Sequence, residues 1–323
     1  MRKNTWRDAA GALVTSTLLA LANPAAAEDV QLKMAYLAAD SMLPALYAMD
    51  RGYFAEAGLD VEQVPVQSGP AAVAAVASGD ADIGYAAPLP PINARLNGVN
   101  LKMFLQLGQE VDPDKKFLWL LASKASGITD IASVKGKKIA INANGGLCDL
   151  AWRDHLASAG LTKDDIEMVV LPFPEQEAAL ELGNIDAACT VNPFYASITS
   201  NAAIGAVEVA AGTLNDLSKP LMNDALFASD EWLAANEATA VKVAHVMDRA
   251  RKELLADRKV MEEAAVKYLE LTPETATKFN LPIVNMDMTV TPADVQVILD
   301  AMVRNGMHDG ALSGADFVQT VKY

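Results

Sequence analysis

Cysteine is scarce, with two in 323 residues, too few for a disulfide-built scaffold. The three histidines, His155, His245 and His308, stand too far apart for zinc-ligand spacing. Basic residues are also few. Against 41 Asp and Glu there are 26 Lys and Arg, a net charge of −15, which argues against nucleic acid or an anionic membrane as partner. Beyond the first thirty residues no apolar run reaches the roughly 18 residues that span a bilayer. The sequence carries no phosphate loop, hydrolase elbow or metal cluster. Apolar residues, by contrast, make up 52% of the chain, which excludes a disordered or collagen-like polymer. The length allows two domains, each able to bury its own core.

Residues 1–27 read as a secretory signal. Arg2, Lys3 and Arg7 form a basic start, an apolar stretch covers 11–21, and Ala25, Ala26 and Ala27 make a small-residue site with cleavage expected after Ala27. No cysteine follows that site to take a lipid anchor. The expected location is therefore the periplasm of a diderm cell.

The remaining chain repeats itself. Phe54-Ala55-Glu56-Ala57-Gly58-Leu59 is echoed 102 residues on by Leu156-Ala157-Ser158-Ala159-Gly160-Leu161. Ser78-Gly79-Asp80-Ala81-Asp82-Ile83 is echoed at an offset of 104 by Leu182-Gly183-Asn184-Ile185-Asp186-Ala187, and Pro88 matches Pro193 at 105. Each copy predicts strand, helix, strand, helix, strand. The first covers 30–37, 43–55, 60–66, 70–77 and 81–85; the second covers 138–142, 148–159, 167–171, 175–182 and 185–190. A further strand is expected at 221–228, then helices at 230–255, 259–269, 273–279 and 292–305. Alternating strands and helices imply an α/β fold with a parallel-type sheet in each of two lobes. Lobe one takes 28–112 and 223–323, lobe two takes 113–222, and two crossovers near 110–116 and 219–224 form a hinge. Ligands of open parallel sheets sit beyond the carboxyl ends of the strands, so two facing lobes would enclose a solute and close on it.

Four segments carry a family resemblance. Gly52-Tyr53-Phe54-Ala55-Glu56-Ala57-Gly58-Leu59-Asp60-Val61 resembles a "GyF..eGLdV" segment, and the stretch from Ala75 to Gly84 a "l.sGdaDig" segment. Val134-Lys135-Gly136-Lys137-Lys138-Ile139-Ala140 resembles "lkGKkia", and Leu182-Gly183-Asn184-Ile185-Asp186-Ala187 resembles "l..G.iDA". In this order they resemble the extracytoplasmic solute-binding proteins of ABC importers, the taurine/alkanesulfonate/nitrate and thiamine-pyrimidine (NMT1/THI5-like) group. The resemblance implies a two-lobed periplasmic-binding-protein fold of type II, monomeric action, and delivery of a small-molecule ligand to an inner-membrane permease with its ATPase. It implies no cofactor. Pyrimidine synthases of the wider group use a Cys-rich motif and a reactive His. This chain has only Gly145-Gly146-Leu147-Cys148 and His155, so the expectation is a binding protein and not an enzyme.

The residues expected to bind ligand lie in the loops at the strand ends. Lobe one offers Asp40, Ser41, Gln67, Ser68, Tyr85, Ala86 and Pro88, with Asp224 at the second crossover; lobe two offers Asn142, Asn144, Gly145, Gly146, Glu175, Asn192 and Tyr195. The Asn-Gly-Gly turn reads equally as an anion nest or as a tight strand-to-helix turn. Asp40 and Glu175 read singly as helix caps or first-turn acids, and Asp224 as a hinge residue. Trp152 reads as core. The cleft loops contain no Lys or Arg, which tilts the expected ligand toward a neutral or cationic solute, flat or nitrogen-containing. A sulfonate or other oxyanion held by backbone groups is the alternative ligand, and a periplasmic sensor the alternative role. Cys148 and Cys189 both fall near strand ends of lobe two, and a bridge between them is favoured over two buried thiols.

Overall fold

The computed structural model describes Met1 and residues 29–111, 116–216, 220–282 and 288–323. The expected signal segment and part of each crossover lie outside the described residues.

In lobe one the chain lays down β1 (Val30–Tyr36), α1 (Leu43–Asp50), α2 (Tyr53–Glu56), β2 (Leu59–Pro65), α3 (Gly69–Ser78), β3 (Ile83–Ala86), α4 (Leu89–Leu96) and β4 (Leu101–Glu110). It then crosses and builds β5 (Leu118–Ala122), β6 (Lys138–Ile141), α5 (Leu147–Ser158), β7 (Glu167–Val170), α6 (Phe173–Glu181), β8 (Ala187–Val191), α7 (Phe194–Ser200) and β9 (Val207–Ala211). It returns through β10 (Leu221–Ser229) and continues with α8 (Asp230–Ala235), α9 (Glu237–Ala256), α10 (Arg258–Tyr268), α11 (Pro273–Ala276) and α12 (Pro292–Arg304). β10 starts two residues before the expected lobe boundary, and its Leu221 and Met222 pair with Glu110 and Gln109 of β4.

The two five-stranded sheets have one topology, β2-β1-β3-β10-β4 and β7-β6-β8-β5-β9. Both are mixed rather than wholly parallel. β1 runs parallel to β2 and β3, and β6 to β7 and β8, as the repeat predicts. β10 and β5 run antiparallel to both of their neighbours. The crossovers give the reason. β4 ends at the same edge as the parallel strands, so the chain enters the other lobe at its carboxyl edge and must run backwards across it. β9 returns the chain to lobe one in the same way.

The repeated motifs are structural. Gly58 and Gly160 close the helix before the second strand of each unit with φ of 69° and 70°, a left-handed conformation that glycine adopts without strain. The Asp of each "D-I" or "I-D" segment ties the third strand to the first. Asp82 Oδ2 accepts the Lys33 N–H at 2.7 Å, and Asp186 Oδ2 accepts the Lys138 N–H at 2.8 Å. Pro88 and Pro193 both stand at the N-caps of the helices that follow.

Strands β4, β5 and β9 fall where no motif marked a strand. The helix expected over 230–255 is two, α8 and α9, joined at Asn236. α9 and α10 pack on the outer face of lobe one, where Met34, Leu43, Phe54 and Met247 are buried in one apolar cluster. A second cluster runs continuously from Leu89 and Ala225 of lobe one to Leu118, Leu147 and Phe173 of lobe two. The lobes are therefore in contact.

Candidate functional site

The carboxyl ends of both sheets face one another across a cavity of about 50 Å³. Lobe one contributes Leu37, Ala39, Pro70, Tyr85, Pro90 and Asp224; lobe two contributes Phe117, Leu118, Asn142, Leu147, Phe173 and Val191. The walls are mostly apolar, as small-molecule sites usually are. Among the described residues no Lys or Arg lines this cavity. A wider recess of about 620 Å³ adjoins it at Phe117; its walls include Asp40, Asn192, Tyr195, Trp119, the α11 region and two cations, Lys116 and Lys278.

A buried group of four side chains closes the lobe-one wall. Asp40 and Ser41 form a 3₁₀ turn after β1, Tyr85 ends β3, and Asp224 lies near the start of β10. All four are at most 3% exposed. The Ser41 hydroxyl lies 2.6 Å from Asp224 Oδ2, to which it donates, and 2.6 Å from the Tyr85 hydroxyl. Burial pushes the Asp224 carboxyl up to about 6, against the pull of the Ser41 and Tyr85 hydroxyls on its charged form. Asp40 is raised well above the ordinary carboxylate range, first by burial and then by the charge of Asp224. Burial and the same charge raise Tyr85.

The structure brings together some of the expected residues and separates others. Tyr85, Asn142, Gly146 and Asp224 line the cavity, and Asp40, Asn192 and Tyr195 line the adjoining recess. Asn192 sits against Asp40 across the gap between lobes and favours its charged form. Tyr195 stacks on Trp119 with ring centroids 4.1 Å apart. Ser68 caps α3 by accepting the Ala71 N–H, a structural role, and Ala86 and Pro88 are buried beside the site. Gln67, Asn144 and Glu175 are exposed and line neither cavity, so Glu175 keeps only its place in the first turn of α6.

The Asn-Gly-Gly turn is already occupied. Gly145 N–H donates to Asp149 Oδ2 at 2.9 Å, and Gly145 O accepts from Asn93 Nδ2 at 2.8 Å. The second of these bonds joins the lobes. Asp154 of α5 joins them again, accepting from Arg304 Nη2 and Asn305 Nδ2, both at 2.9 Å, and from Asn215 N–H at 2.7 Å. Burial works to raise the Asp154 carboxyl, but these donors outweigh it and hold it below the usual range. Cys148 and Cys189 form the expected disulfide, with Cα atoms 5.6 Å apart, and pin the start of α5 to β8. Trp152 is core, fully buried.

Phe117 and Leu118 were not singled out by the sequence. They reach the cavity because β5 enters lobe two at its carboxyl edge. The one signal for them is the apolar run Phe117-Leu118-Trp119-Leu120-Leu121 directly after the first crossover.

The chain is similar to three known proteins. A putative aliphatic sulfonates-binding protein of Bacillus subtilis is 29% identical over 204 residues, 62% of this chain and 59% of that protein. A nitrate/nitrite binding protein of Nostoc is 24% identical over 277 residues, 77% of this chain and 62% of that protein. The matched stretch thus spans less than two thirds of the length of either relative. The solved alkanesulfonate-binding protein of Xanthomonas axonopodis, bound to MOPS, superposes with a TM-score of 0.77 at 22% identity, covering 91% of this chain and 99% of that one. That overlap shows the two-lobed periplasmic-binding-protein fold. These relatives are binding proteins rather than enzymes. No helix among the described residues is long and apolar enough to cross a membrane. The NMT1-like family model matches residues 25–269, and the chain belongs to that family.

Proposed function

We propose that this protein is the solute-capturing component of an ABC importer, holding a small neutral or cationic organic molecule between its lobes and presenting it to a membrane permease served by an ATPase. The observation that carries this reading is the cavity itself. It draws almost equally on two duplicated lobes joined by two crossovers, so a bound solute contacts both and its binding free energy favours closure. The contacts Asn93–Gly145 and Asp154–Arg304 hold the lobes together in the closed arrangement. An exported, monomeric protein acting in the periplasm fits the signal-like segment 1–27 and the relatives' roles. The names of the relatives suggest a sulfonate or nitrate as ligand, but a cavity lined by the buried acid Asp224 and by no Lys or Arg supports a neutral or cationic one.

The test is to purify the protein after export in a diderm host, denature it and identify released small molecules by mass spectrometry. The released compound, added back, should contract the molecule in solution scattering, raise its melting temperature and come off chemically unchanged. Ligand at about 100 times its Kd adds about 2.7 kcal/mol of stability. Turnover of the compound, or binding without contraction, rejects capture as the function.

A further inference from the structure

We infer that the cleft selects a small organic monocation, a protonated amine or amidine carried on an apolar body, and is poor in the donors that an oxyanion needs. The inference rests on the reading of the cleft as the solute site and concerns only the charge class of what enters it. It follows from where hydrogen-bond donors are missing.

Helix N-termini bind anions through their unpaired N–H groups, and a fold that points several of them at a cleft is suited to sulfonate or nitrate. Among the described residues the first turns of four helices line this cavity: α3, α4, α5 and α6. Three of them carry proline there. α3 has Pro70 at its second position, α4 has Pro90 and Pro91 after a Pro88 cap, and α6 has Pro174 after a Pro172 cap. Proline in the first turn costs the helix no internal bond, but it deletes one or two of the N–H groups that an anion would take, leaving at the start those of Gly69, Leu89 and Phe173.

The fourth helix, α5, keeps its N–H groups and supplies its own anion. Asp149, 5% exposed, sits in its first turn. One of its carboxylate oxygens takes the Gly145 N–H at 2.9 Å and the other meets Arg153 Nε at 2.6 Å. That carboxylate stands beside the positive end of the helix and offsets part of it, with Arg153 compensating its charge on the other side.

On the lobe-one wall the count of protons points the same way. Ser41 has one hydroxyl proton, and it lies on Asp224. The proton in the 2.6 Å contact between the Ser41 and Tyr85 hydroxyls must then come from Tyr85. Both hydroxyl donors are consumed around Asp224, and what Tyr85 and Asp224 present to the cavity is acceptor. Asn142 across the cavity keeps an amide donor for a ligand oxygen, but the lobe-one wall calls for ligand N–H groups, and with Asp224 on the cavity and Asp40 beside it in the adjoining recess a positive charge on the ligand is the match. Phe117, Leu118, Phe173 and Val191 opposite suit an apolar body.

The experiment compares isopentylamine and benzylamine with their neutral partners isopentyl alcohol and benzyl alcohol, and with butanesulfonate and nitrate, by calorimetry and melting temperature at pH 7.5. Both amines should bind and stabilise the full chain, the alcohols and anions should not, and Asp224→Asn and Asp40→Asn should each weaken amine binding about tenfold or more. Asp149→Asn, which frees the α5 terminus, should bring measurable butanesulfonate binding. The inference is overturned if butanesulfonate, nitrate or an alcohol binds the unmodified protein as tightly as the amines. It is equally overturned if neither amine binds, or if the two Asn variants bind amines unchanged. Each of those results leaves solute capture standing, because capture is judged separately by contraction with the co-purified compound.

Discussion

Replacing Asp224 by Asn should stabilise the ligand-free protein while disabling its cleft. The carboxyl of Asp224 titrates at about 6 in the folded chain against 3.8 for the free side chain. Its folded value is raised, so between about pH 4 and pH 6 the folded state binds more protons than the unfolded one, and stability falls as pH rises through that window. A shift of about two units corresponds to about 3 kcal/mol, fully present as destabilisation above pH 6 and absent below pH 4. The group is 3% exposed, so solvent screening does not erase the effect. Asn keeps the shape and an acceptor for the Ser41 hydroxyl but never charges. At pH 8 the variant should therefore be more stable than the unmodified protein by up to about 3 kcal/mol, and at pH 4 the two should coincide. Urea unfolding at both pH values, compared as a difference between the two proteins, cancels the opposite trend from acids such as Asp154 and Asp248, whose carboxyls are held low in the fold. Asp40 titrates beside Asp224 and moves in the same direction, so part of the fall survives in the variant. A variant equal to or less stable than the parent at pH 8 would refute the reasoning, since Asp224 would then carry no unpaired buried charge.

Other predictions concern the frame around the cleft. The Cys148–Cys189 bridge closes a loop with a sequence separation of 41 residues, so the double Cys→Ser variant should lose about 4 kcal/mol in denaturant unfolding; an unchanged midpoint counts against the bridge. At Gly84 a Cβ would stand 2.3 Å from the ring of Phe227, so Gly84→Ala should cost about 1–3 kcal/mol by overpacking, and Phe227→Leu added to it should restore part of that. Removing both Arg304 and Asn305 side chains takes two of three donors from Asp154 and should open the ligand-free molecule, seen as a larger radius of gyration in solution scattering. No change in that radius means that the lobes are held elsewhere.

The repeat made most of the frame readable from sequence. Gly58 and Gly160 stop equivalent helices, and Asp82 and Asp186 tie equivalent strands, because local backbone needs recur wherever the unit recurs. Strands β4, β5 and β9 were not readable, and neither was the antiparallel direction of β5 and of β10, although a strand was expected at 221–228. That direction is set by the edge at which a crossover delivers the chain, a fact about the other lobe that no local pattern in 118–122 or 221–229 contains. Site residues divided in the same way. Tyr85 and Asn142 were found by counting to the ends of strands, whereas Phe117 and Leu118 needed the crossover. Glu175 sat in the right loop, but its helical phase turns it to solvent. The Gly145 nest was visible as a pattern, yet its occupant, Asp149, lies one turn further along the helix and was not singled out.

The duplication also explains how the two sides of one cavity come to differ. Ala86 ends β3 and pairs with Ala225 of β10, while Val191 ends β8 and pairs with Leu118 of β5. Residues 86 and 191 are related by the same offset of 105 that relates Pro88 to Pro193. The residue just before each partner is then equivalent too: Asp224 in lobe one and Phe117 in lobe two. Both line the cavity. The fold thus offers two matched positions at the mouths of its antiparallel strands, and in this chain one holds a buried acid bonded to Ser41 while the other holds an aromatic ring. An acid at both positions would bring two like charges to the same apolar space and raise the cost of closing it. A ring at both would leave no polar anchor to orient the solute. With one of each, the proposed binding mode would place a polar head against lobe one and an apolar body against lobe two, so a solute lacking either part should lose its hold on one jaw and with it the free energy of closure.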